Sequence, residues 1–309
     1  MNILVTGSAG FVGKYMVKEL RDHGHKVVPF DVVTGQDLLK PEDVNKIFLD
    51  FPIDVVCHLG AQAHLGRGEQ DPITNAQVNI IGALNIFDAA LKNGAAVIYH
   101  STGAVYSDEC PQPVTEDSPR EPKSHYGVSK VCAEEYALFY VRRGLKLIRT
   151  RFSSVYGIGR DVAPVNVFTK KAVNKEHIQL FGPDITRDYT HVNDVTAGVR
   201  RLVEDLDPDR DTMCPPLQWN GQCFNVASGV ETRTVEVLEM LERILRRKVD
   251  YEIMPAKKGD VMKNYFNVTK LRGLGWIPRV SLEDGVRELV THYKVKKSND
   301  QVITHQSGE

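Results

Sequence analysis

Two side chains with complementary proton chemistry, Tyr126 and Lys130, stand four residues apart in a stretch predicted to be helical. Residues at that spacing lie on one face of a helix, so the phenol and the ammonium group point the same way. A free tyrosine has a pKa of about 10, but a nearby ammonium group would lower it toward neutrality. Tyr126 would then exchange a proton with a substrate hydroxyl. The same spacing also fits a surface tyrosine beside a solvated lysine.

A hydroxyl that could assist this proton transfer belongs to Thr102, which follows the predicted strand Ala96–His100. A threonine at the end of a central strand can hydrogen-bond a sugar hydroxyl or carbonyl and help to move its proton. It also suits an ordinary turn. We therefore treat Thr102, Tyr126 and Lys130 as one candidate catalytic set.

The chain begins with a predicted strand, Asn2–Thr6, then a glycine-rich turn and a helix that is predicted to end near Gly24. Glycines at such a turn allow a tight bend and a close approach of backbone to ligand, and the first helical N–H groups can bind a pyrophosphate. The spacing G-x-x-G-x-x-G differs from the common G-x-G-x-x-G fingerprint, and a glycine triplet alone also fits an ordinary strand–turn–helix unit. The residues of this predicted site are Gly7, Gly10, Phe11, Val12 and Gly13.

An acidic residue, Asp31, follows the second predicted strand, Lys26–Phe30, 18 residues after Gly13. A carboxylate there can accept hydrogen bonds from the adenosine ribose hydroxyls of NAD, although a plain strand-end acid is the alternative. No lysine or arginine occurs in residues 32–39 to hold the 2′-phosphate of NADP. The sequence therefore predicts NAD as the cofactor. Its positive nicotinamide ring would add to the effect of Lys130 on the pKa of Tyr126.

Strand and helix patterns alternate through the first half of the chain. The predicted strands are Asn2–Thr6, Lys26–Phe30, Asp54–Leu59, Ala96–His100, Lys146–Phe152 and, later, Cys223–Val226. The predicted helices run from Phe11 to near Gly24, over Pro41–Asp50 and Asn75–Leu91, and from Tyr126 to about Arg143. This alternation predicts an α/β fold with a Rossmann-type, doubly wound parallel sheet, which binds ligands at the carboxyl ends of its strands.

The rhythm changes beyond Gly157, where we expect a smaller C-terminal α/β domain that binds the substrate. The NAD-binding domain is expected to cover residues 1–165 and about 188–228, and the substrate domain about 166–187 and 229–293. Residues 205–222 form a polar insert that is typical of a surface loop. The predicted last helix is Leu282–Val290, and 294–309 is expected to be a polar, frayed tail.

Composition limits the class of protein. The chain has 309 residues, of which 42% are apolar and 26% charged, and a net charge of −1, so neither a nucleic-acid nor a membrane partner is expected. No apolar run reaches the length of a bilayer-spanning helix, and no signal peptide is expected before the first predicted strand. The cysteines are odd in number and form no C-x-x-C pair, which is typical of reduced thiols in a cytoplasmic protein, and no metal site is expected. They are Cys57, Cys110, Cys132, Cys214 and Cys223.

Further short motifs run through almost the whole chain. They are T-G-S-A-G-F-V-G (6–13), D-V-V-C-H-L-G-A (54–61), S-T-G-A-V-Y (101–106), Y-G-V-S-K (126–130), R-F-S-S-V-Y-G (151–157), R-D-Y-T-H-V-N-D-V (187–195), F-N-V-A-S-G (224–229) and L-G-W-I-P (274–278). In this order they resemble the extended short-chain dehydrogenase/reductase family. Within it they are similar to the NAD-dependent nucleotide-sugar epimerases and dehydratases, such as UDP-glucose 4-epimerases.

The resemblance implies a role for each matching position. Thr102, Tyr126 and Lys130 would be catalytic, and a nucleotide-diphosphate sugar would be the substrate. Arg187 would contact the substrate diphosphate and Asp260 its ribose. The cofactor positions implied are Asp37 and Leu38 beside the adenine, and Leu59, Gly60, Ala61, Asn79 and Ser101 along the channel. The remaining substrate positions are His64, which also fits a helix cap, and Gly103, Ser154 and Lys257.

Two of these positions depart from the family pattern. Ser154 stands where the family usually has asparagine, which would alter a substrate contact. Lys257 and Lys258 stand where Arg-Pro is frequent, and lysine lacks the planar fork that grips a phosphate. The insert 205–222 is also longer than the family pattern predicts.

Several activities remain open on this sequence. The leading hypothesis is a 4-epimerase that acts through a transient 4-keto sugar. The alternatives are a 4-keto-sugar reductase or 4-dehydrogenase, and a non-catalytic NAD-binding sensor. A 4,6-dehydratase needs an extra acid–base pair beside the sugar. Relatives that dehydrate usually place acids directly after the catalytic threonine, where this chain has Gly103 and Ala104. We also expect a homodimer, because the helix after Tyr126 is apolar on more than one face.

Overall fold

The computed structural model describes residues 1–207, 220–256 and 262–306, with side chains up to residue 297. Its strands are β1 Asn2–Thr6, β2 Lys26–Phe30, β3 Val55–His58, β4 Ala96–Thr102, β5 Leu147–Phe152, β6 Ser154–Tyr156, β7 Ile178–Phe181, β8 Thr186–Arg187, β9 Tyr189–His191, β10 Cys223–Val226, β11 Thr232–Arg233, β12 Tyr251–Met254 and β13 Lys263–Asn264. Its α-helices are α1 Phe11–Asp22, α2 Pro41–Asp50, α3 Leu65–Gln70, α4 Pro72–Ala76, α5 Gly82–Asn93, α6 His125–Arg142, α7 Pro164–Asn174, α8 Val192–Asp205, α9 Thr234–Leu245, α10 Thr269–Arg272 and α11 Leu282–Gln306.

The centre of the fold is a six-stranded sheet in the order β10-β5-β4-β3-β1-β2, in which every pairing is parallel. Side chains alternate between its faces: Ile3 and Val5 belong to one apolar cluster with α1 and α8, and Leu4 belongs to another with α2, α5 and α6. Both faces are therefore covered by helices, as an all-parallel sheet requires. The predicted doubly wound α/β fold is confirmed.

A third apolar cluster lies outside the large sheet. It is formed by residues of α7, α9 and α11, with Leu180 of β7 among them. Short strands accompany it in the sheets β11-β8-β13 and β12-β7, and β6 pairs with β9.

Two helical segments differ from the sequence-based expectation. The expected helix Asn75–Leu91 is part of a longer run, in which α4 and α5 are joined by a π-helical turn over Gln77–Ile81. The separate helix α3 was missed because two of its six residues are glycines, which disfavour helices. Helix α11 continues past Val290 to Gln306, so the expected frayed tail is wrong over that length.

The sharp turn between β1 and α1 depends on glycine at two positions. Gly7 has a φ of +67°, in the left-handed region that favours glycine. A Cβ at Gly13 would overlap the carbonyl oxygen of Gly7, so the first turn of α1 packs directly on the backbone of this loop. The predicted tight bend and close helix–strand contact are both present.

Helix α6 is attached to β5 through a fully buried carboxylate, Glu134. Arg151 donates to it twice, from Nε to Oε1 at 3.0 Å and from Nη2 to Oε2 at 2.6 Å. Arg149 adds a donor at 3.1 Å and Arg120 one at 3.3 Å. Burial alone would raise the pKa of Glu134, but the hydrogen bonds and charge of Arg151 outweigh burial and the pKa lies below its usual value.

We expect Glu134→Ala to lower the free energy of unfolding by about 3–5 kcal/mol, because it leaves the Arg151 guanidinium buried without its charge partner. The adjacent residue Glu135 is exposed and pairs with Arg120 at the surface, so Glu135→Ala should cost less than about 1 kcal/mol. Urea denaturation followed by circular dichroism measures both changes. Equal losses from the two variants would contradict the anchoring role of Glu134.

Candidate active site

The carboxyl ends of the parallel strands open onto one large cavity of about 1160 Å³. Its wall takes residues from the β1–α1 turn, from the ends of β2, β3 and β4, and from the segment after β5. Parallel sheets bind ligands at this edge. The cavity therefore gathers segments that are far apart in the sequence.

The three candidate catalytic residues meet in the wall of this cavity. Thr102 ends β4, and its hydroxyl lies in the cavity wall, where Oγ1 accepts from the Ala104 N–H at 3.2 Å. Tyr126 lies in the first turn of α6, where Ser124 caps the helix by accepting from the Gly127 N–H at 3.0 Å. Lys130 is buried one turn further on, and its Nζ donates to the carbonyl oxygen of His100 at 2.7 Å.

The close approach of α6 to β4 needs glycine at position 127. A Cβ there would lie 2.6 Å from the Ala104 carbonyl oxygen and 2.7 Å from a Pro122 side-chain carbon. Any larger residue would push the start of α6 away from the end of β4. The glycine of the Y-G-V-S-K motif thus keeps Tyr126 within reach of Thr102.

Burial shifts the pKa values of two candidate catalytic groups. It raises the pKa of Tyr126, while the Thr102 hydroxyl and the charge of Arg160 lower that pKa. It lowers the pKa of Lys130 to about 7, and the charge of Glu134 partly opposes this shift. In the protein without NAD, desolvation outweighs the favourable neighbours, and the pKa of the phenol lies above its usual value. The lowering expected from Lys130 together with the nicotinamide charge stays a prediction.

The β1–α1 turn and Asp31 form a cradle with free polar groups. Gly10 caps α1 without a side-chain hydrogen bond, and Gly7, Gly10, Phe11, Val12 and Gly13 all line the cavity. Asp31 Oδ2 accepts from the Ala9 N–H at 2.9 Å and Oδ1 from the Val33 N–H at 3.0 Å. Each carboxylate oxygen can accept a further hydrogen bond. The cradle fits a pyrophosphate beside the turn and ribose hydroxyls at Asp31.

Most of the other expected cofactor residues also line the cavity: Asp37, Leu38, Leu59, Gly60, Ala61 and Ser101. Asn79 does not. It is buried behind the wall, where its side chain accepts from the Gln62 N–H at 2.8 Å and donates to the Ser129 hydroxyl at 2.9 Å. Asn79 thus links the loop after β3 to α6 and does not face a ligand.

The expected substrate residues His64, Gly103, Ser154 and Arg187 line the same cavity. His64 is also the N-cap of α3, since its Nδ1 accepts from the Arg67 N–H at 3.2 Å, so the helix-cap alternative describes its contact in the structure. Arg187 Nη1 donates to its neighbour's carbonyl, Thr186 O, at 2.8 Å. Lys257 and Asp260 lie outside the described residues.

Sequence reasoning missed other residues of the wall, above all Arg160 and Phe266. The Arg160 guanidinium lies over the Phe11 ring, 5.4 Å from its centroid. Phe266 occupies the space that a side chain at position 103 would need. The available signal for Arg160 was the pair of glycines before it, Gly157 and Gly159, which follow β6.

A model of the NAD-dependent epimerase/dehydratase family matches residues 3–214. The chain belongs to this family. The match spans the glycine turn, Asp31 and the three candidate catalytic residues. NAD is therefore the cofactor, and the cradle described above fits it.

The family includes relatives with different names. UDP-glucose 4-epimerase of Mycolicibacterium smegmatis is 30% identical over 323 residues, covering 96% of this chain and 99% of that protein. UDP-glucuronic acid decarboxylase 1 of Arabidopsis thaliana is 26% identical, and the match covers 97% of this chain and 71% of that protein. The structure of Thermus thermophilus UDP-glucose 4-epimerase in complex with NAD is similar with a TM-score of 0.83 at 28% identity, covering 95% of this chain and 99% of that one. These relatives support nucleotide-sugar chemistry of the epimerase/dehydratase kind.

Within residues 1–207, 220–256 and 262–306, no helix is long and apolar enough to span a bilayer. No group of three or more His, Cys, Asp or Glu side chains in the same part of the chain is arranged to hold a metal ion.

Tyr126→Phe should lower turnover of a nucleotide sugar by at least about 10²-fold, because general acid–base groups typically contribute 10²–10⁴-fold. The ring stays, so NAD should remain bound, and its binding is measured alongside turnover. Tyr251→Phe, in β12 and outside the cavity wall, is the matched control and should retain full activity. Near-wild-type turnover of Tyr126→Phe would remove this residue from the mechanism.

Proposed function

We propose that this protein is a nucleotide-sugar 4-epimerase that acts through a transient 4-keto sugar. The observation that carries the proposal is the convergence of Thr102, Tyr126 and Lys130 beside the dinucleotide cradle, with no carboxylate directly after Thr102. Such a site supports proton transfer at one sugar hydroxyl. It does not supply a second acid–base pair for elimination.

The chain's own residues would act on the sugar 4-hydroxyl. Tyr126 takes the hydroxyl proton and later returns it, while Thr102 holds the same oxygen by a hydrogen bond. In its charged form, Lys130 favours the phenolate during this exchange. When bound, NAD supplies the hydride acceptor and the hydride donor for C4. Return of the hydride to the opposite face of the sugar gives the 4-epimer.

The substrate is proposed to carry a nucleoside diphosphate. Arg187 lines the cavity wall in the family's diphosphate position, and Lys257 and Asp260 are proposed to complete the contacts. The relatives are named for UDP-glucose and UDP-glucuronic acid, which supports uridine as the base. Residues 166–187 and 229–293 are proposed as the sugar-binding part of the chain.

The carboxylates near the cavity argue against a 4,6-dehydratase. Asp108 pairs with Lys123 and is not part of the wall. Asp31 and Asp37 lie at the adenosine end of the cradle. Asp161 lines the cavity, and its Oδ1 accepts from the Tyr293 hydroxyl at 3.3 Å. None of these acids directly follows Thr102 in the sequence, where dehydratases of the family usually carry their acids.

A homodimer and a cytoplasmic location are part of the proposal. Helix α6 exposes Val128, Tyr136 and Phe139 to solvent, each between 44% and 48% exposed, which supports a partner on this face. The free cysteines Cys57, Cys110, Cys132 and Cys223 support a reducing compartment.

Product analysis tests the reaction type. We expect incubation with UDP-, GDP-, CDP- and dTDP-hexoses to give a 4-epimer of unchanged mass from at least one of them, with no net NADH. No product should have lost water, because Gly103 and Ala104 cannot move a proton. Mass spectrometry separates these outcomes, and nuclear magnetic resonance assigns the configuration at C4. A clean water-loss product would contradict the 4-epimerase proposal, as would NAD binding without turnover of any sugar.

A further inference from the structure

A buried hydroxyl, that of Ser129, joins two parts of the candidate active site. Ser129 lies in α6 between Tyr126 and Lys130, and it is 3% exposed. Its Oγ donates to the Tyr126 carbonyl oxygen at 2.8 Å and to Asn75 Oδ1 at 2.9 Å, and it accepts from Asn79 Nδ2 at 2.9 Å. A hydroxyl has one proton, so the two acceptors share it. Ser129 therefore connects the backbone of Tyr126 to the helical segment that contains the two asparagines.

The asparagines extend this connection to the loop after β3. Asn75 Nδ2 donates to the carbonyl oxygen of Gln62 at 3.0 Å and to Gln62 Oε1 at 2.8 Å. Asn79 Oδ1 accepts from the Gln62 N–H at 2.8 Å, and Asn79 Nδ2 donates to Asn75 Oδ1 at 3.2 Å. The residues on either side of Gln62, Ala61 and Ala63, line the cavity. The network thus runs from α6 to a stretch of the cavity wall.

The π-helical turn over Gln77–Ile81 gives this segment two functions. Asn75, in α4, and Asn79, in the turn, both direct their side chains to the network. Val78, the residue before Asn79, lines the cavity instead. Turns of this kind interrupt an α-helix and occur frequently at functional sites. The turn therefore presents one residue to the cavity and the next residue to the network behind the wall.

Helix α3 packs directly on the network. A Cβ at Gly68 would lie 3.1 Å from Asn75 Nδ2 and 3.6 Å from the Tyr126 nitrogen. Next to it, Glu69 Oε1 accepts from the His125 N–H at 3.0 Å, which satisfies a free donor in the first turn of α6. Asn75 is fully buried. A buried network whose polar atoms all have partners is rigid, because a broken hydrogen bond leaves a buried group unsatisfied.

We propose that Ser129, acting through Asn75 and Asn79, is a positioning residue for Tyr126. It fixes the first turn of α6 relative to the cavity wall, so that the phenol meets the substrate at a constant distance. This inference rests on the proposed function for the role of Tyr126 in proton transfer. A displacement of about 1 Å at a reacting group can lower the rate by about 10²-fold, so a contact behind the wall can control turnover.

The test compares Ser129→Ala, which removes the shared hydroxyl, with Ser129→Thr, which keeps it. Thr196→Val is the matched control. Thr196 is 1% exposed and lies outside the cavity wall, and its hydroxyl donates to the carbonyl oxygen three residues earlier in α8 at 3.1 Å. The values of kcat, KM and NAD affinity are measured on the NAD-loaded full chain with a nucleotide sugar that the parent converts. Urea denaturation shows whether each variant folds.

A second readout needs no substrate. Nuclear magnetic resonance of the NAD-loaded full chain with isotope-labelled tyrosine observes the ring of Tyr126 directly. Its signal is the one that is missing from the spectrum of Tyr126→Phe. The position and width of this signal report whether the ring keeps a single fixed environment.

We expect Ser129→Ala to lower kcat by about 10- to 100-fold, because the base is displaced from its productive position. KM and NAD affinity should stay within about twofold of the parent, since the binding contacts in the wall remain. The Tyr126 signal should move or broaden in Ser129→Ala. Ser129→Thr should recover most of the turnover, and Thr196→Val should match the parent in every measurement.

Two results would overturn the inference. One is a parent-like kcat together with an unchanged Tyr126 signal in Ser129→Ala. The other is a loss of NAD affinity as large as the loss of kcat, which would assign the network to the support of the cofactor site. Failure of the proposed function is distinguishable, because the parent would then convert no nucleotide sugar. In that case the Tyr126 signal alone decides the inference.

Discussion

The structure depends on the burial of one ammonium group, that of Lys130. An ammonium group is expensive to remove from water, and here it has one carbonyl acceptor, on His100, and the Tyr99 ring at 4.7 Å. Burial and the charge of Lys130 keep the pKa of His58 low, at about 3, so this neighbouring ring adds no positive charge. The cost is tolerated because Glu134, one helical turn later, holds α6 against β5. Helix α6 and strand β5 are thereby held together before any ligand binds.

Several features of the fold and site could be predicted because they are local. The glycine turn, the acid after β2 and the Tyr126–Lys130 spacing each express a backbone or helix constraint within a few residues. The place of Arg160 in the cavity wall could not be predicted this way, because its contact with the Phe11 ring joins segments that are far apart in the sequence. The rise of the Tyr126 pKa in the protein alone could not be predicted either, because desolvation depends on packing that residue spacing does not reveal. Asn79 matched a family motif, yet its contacts place it behind the wall.

The cavity has two ends with different physical characters. At the adenosine end, backbone N–H groups and the Asp31 carboxylate present neutral or negative partners to ribose and pyrophosphate. Elsewhere in the wall, Tyr126 and Ser154 present hydroxyls, and Phe266 fills the space over Gly103. The fold therefore determines cofactor and reaction centre through the sheet edge.

The central claim is that one C4 hydrogen leaves the sugar and returns to the same carbon. The direct measurement uses UDP-glucose and UDP-glucuronic acid carrying deuterium at C4, with product analysis by mass spectrometry and nuclear magnetic resonance. The account predicts a 4-epimer that keeps its deuterium at C4, with no NADH accumulating in step with substrate loss. A 4-epimer that has exchanged its C4 deuterium for hydrogen, or NADH formed in proportion to consumed sugar, would contradict it.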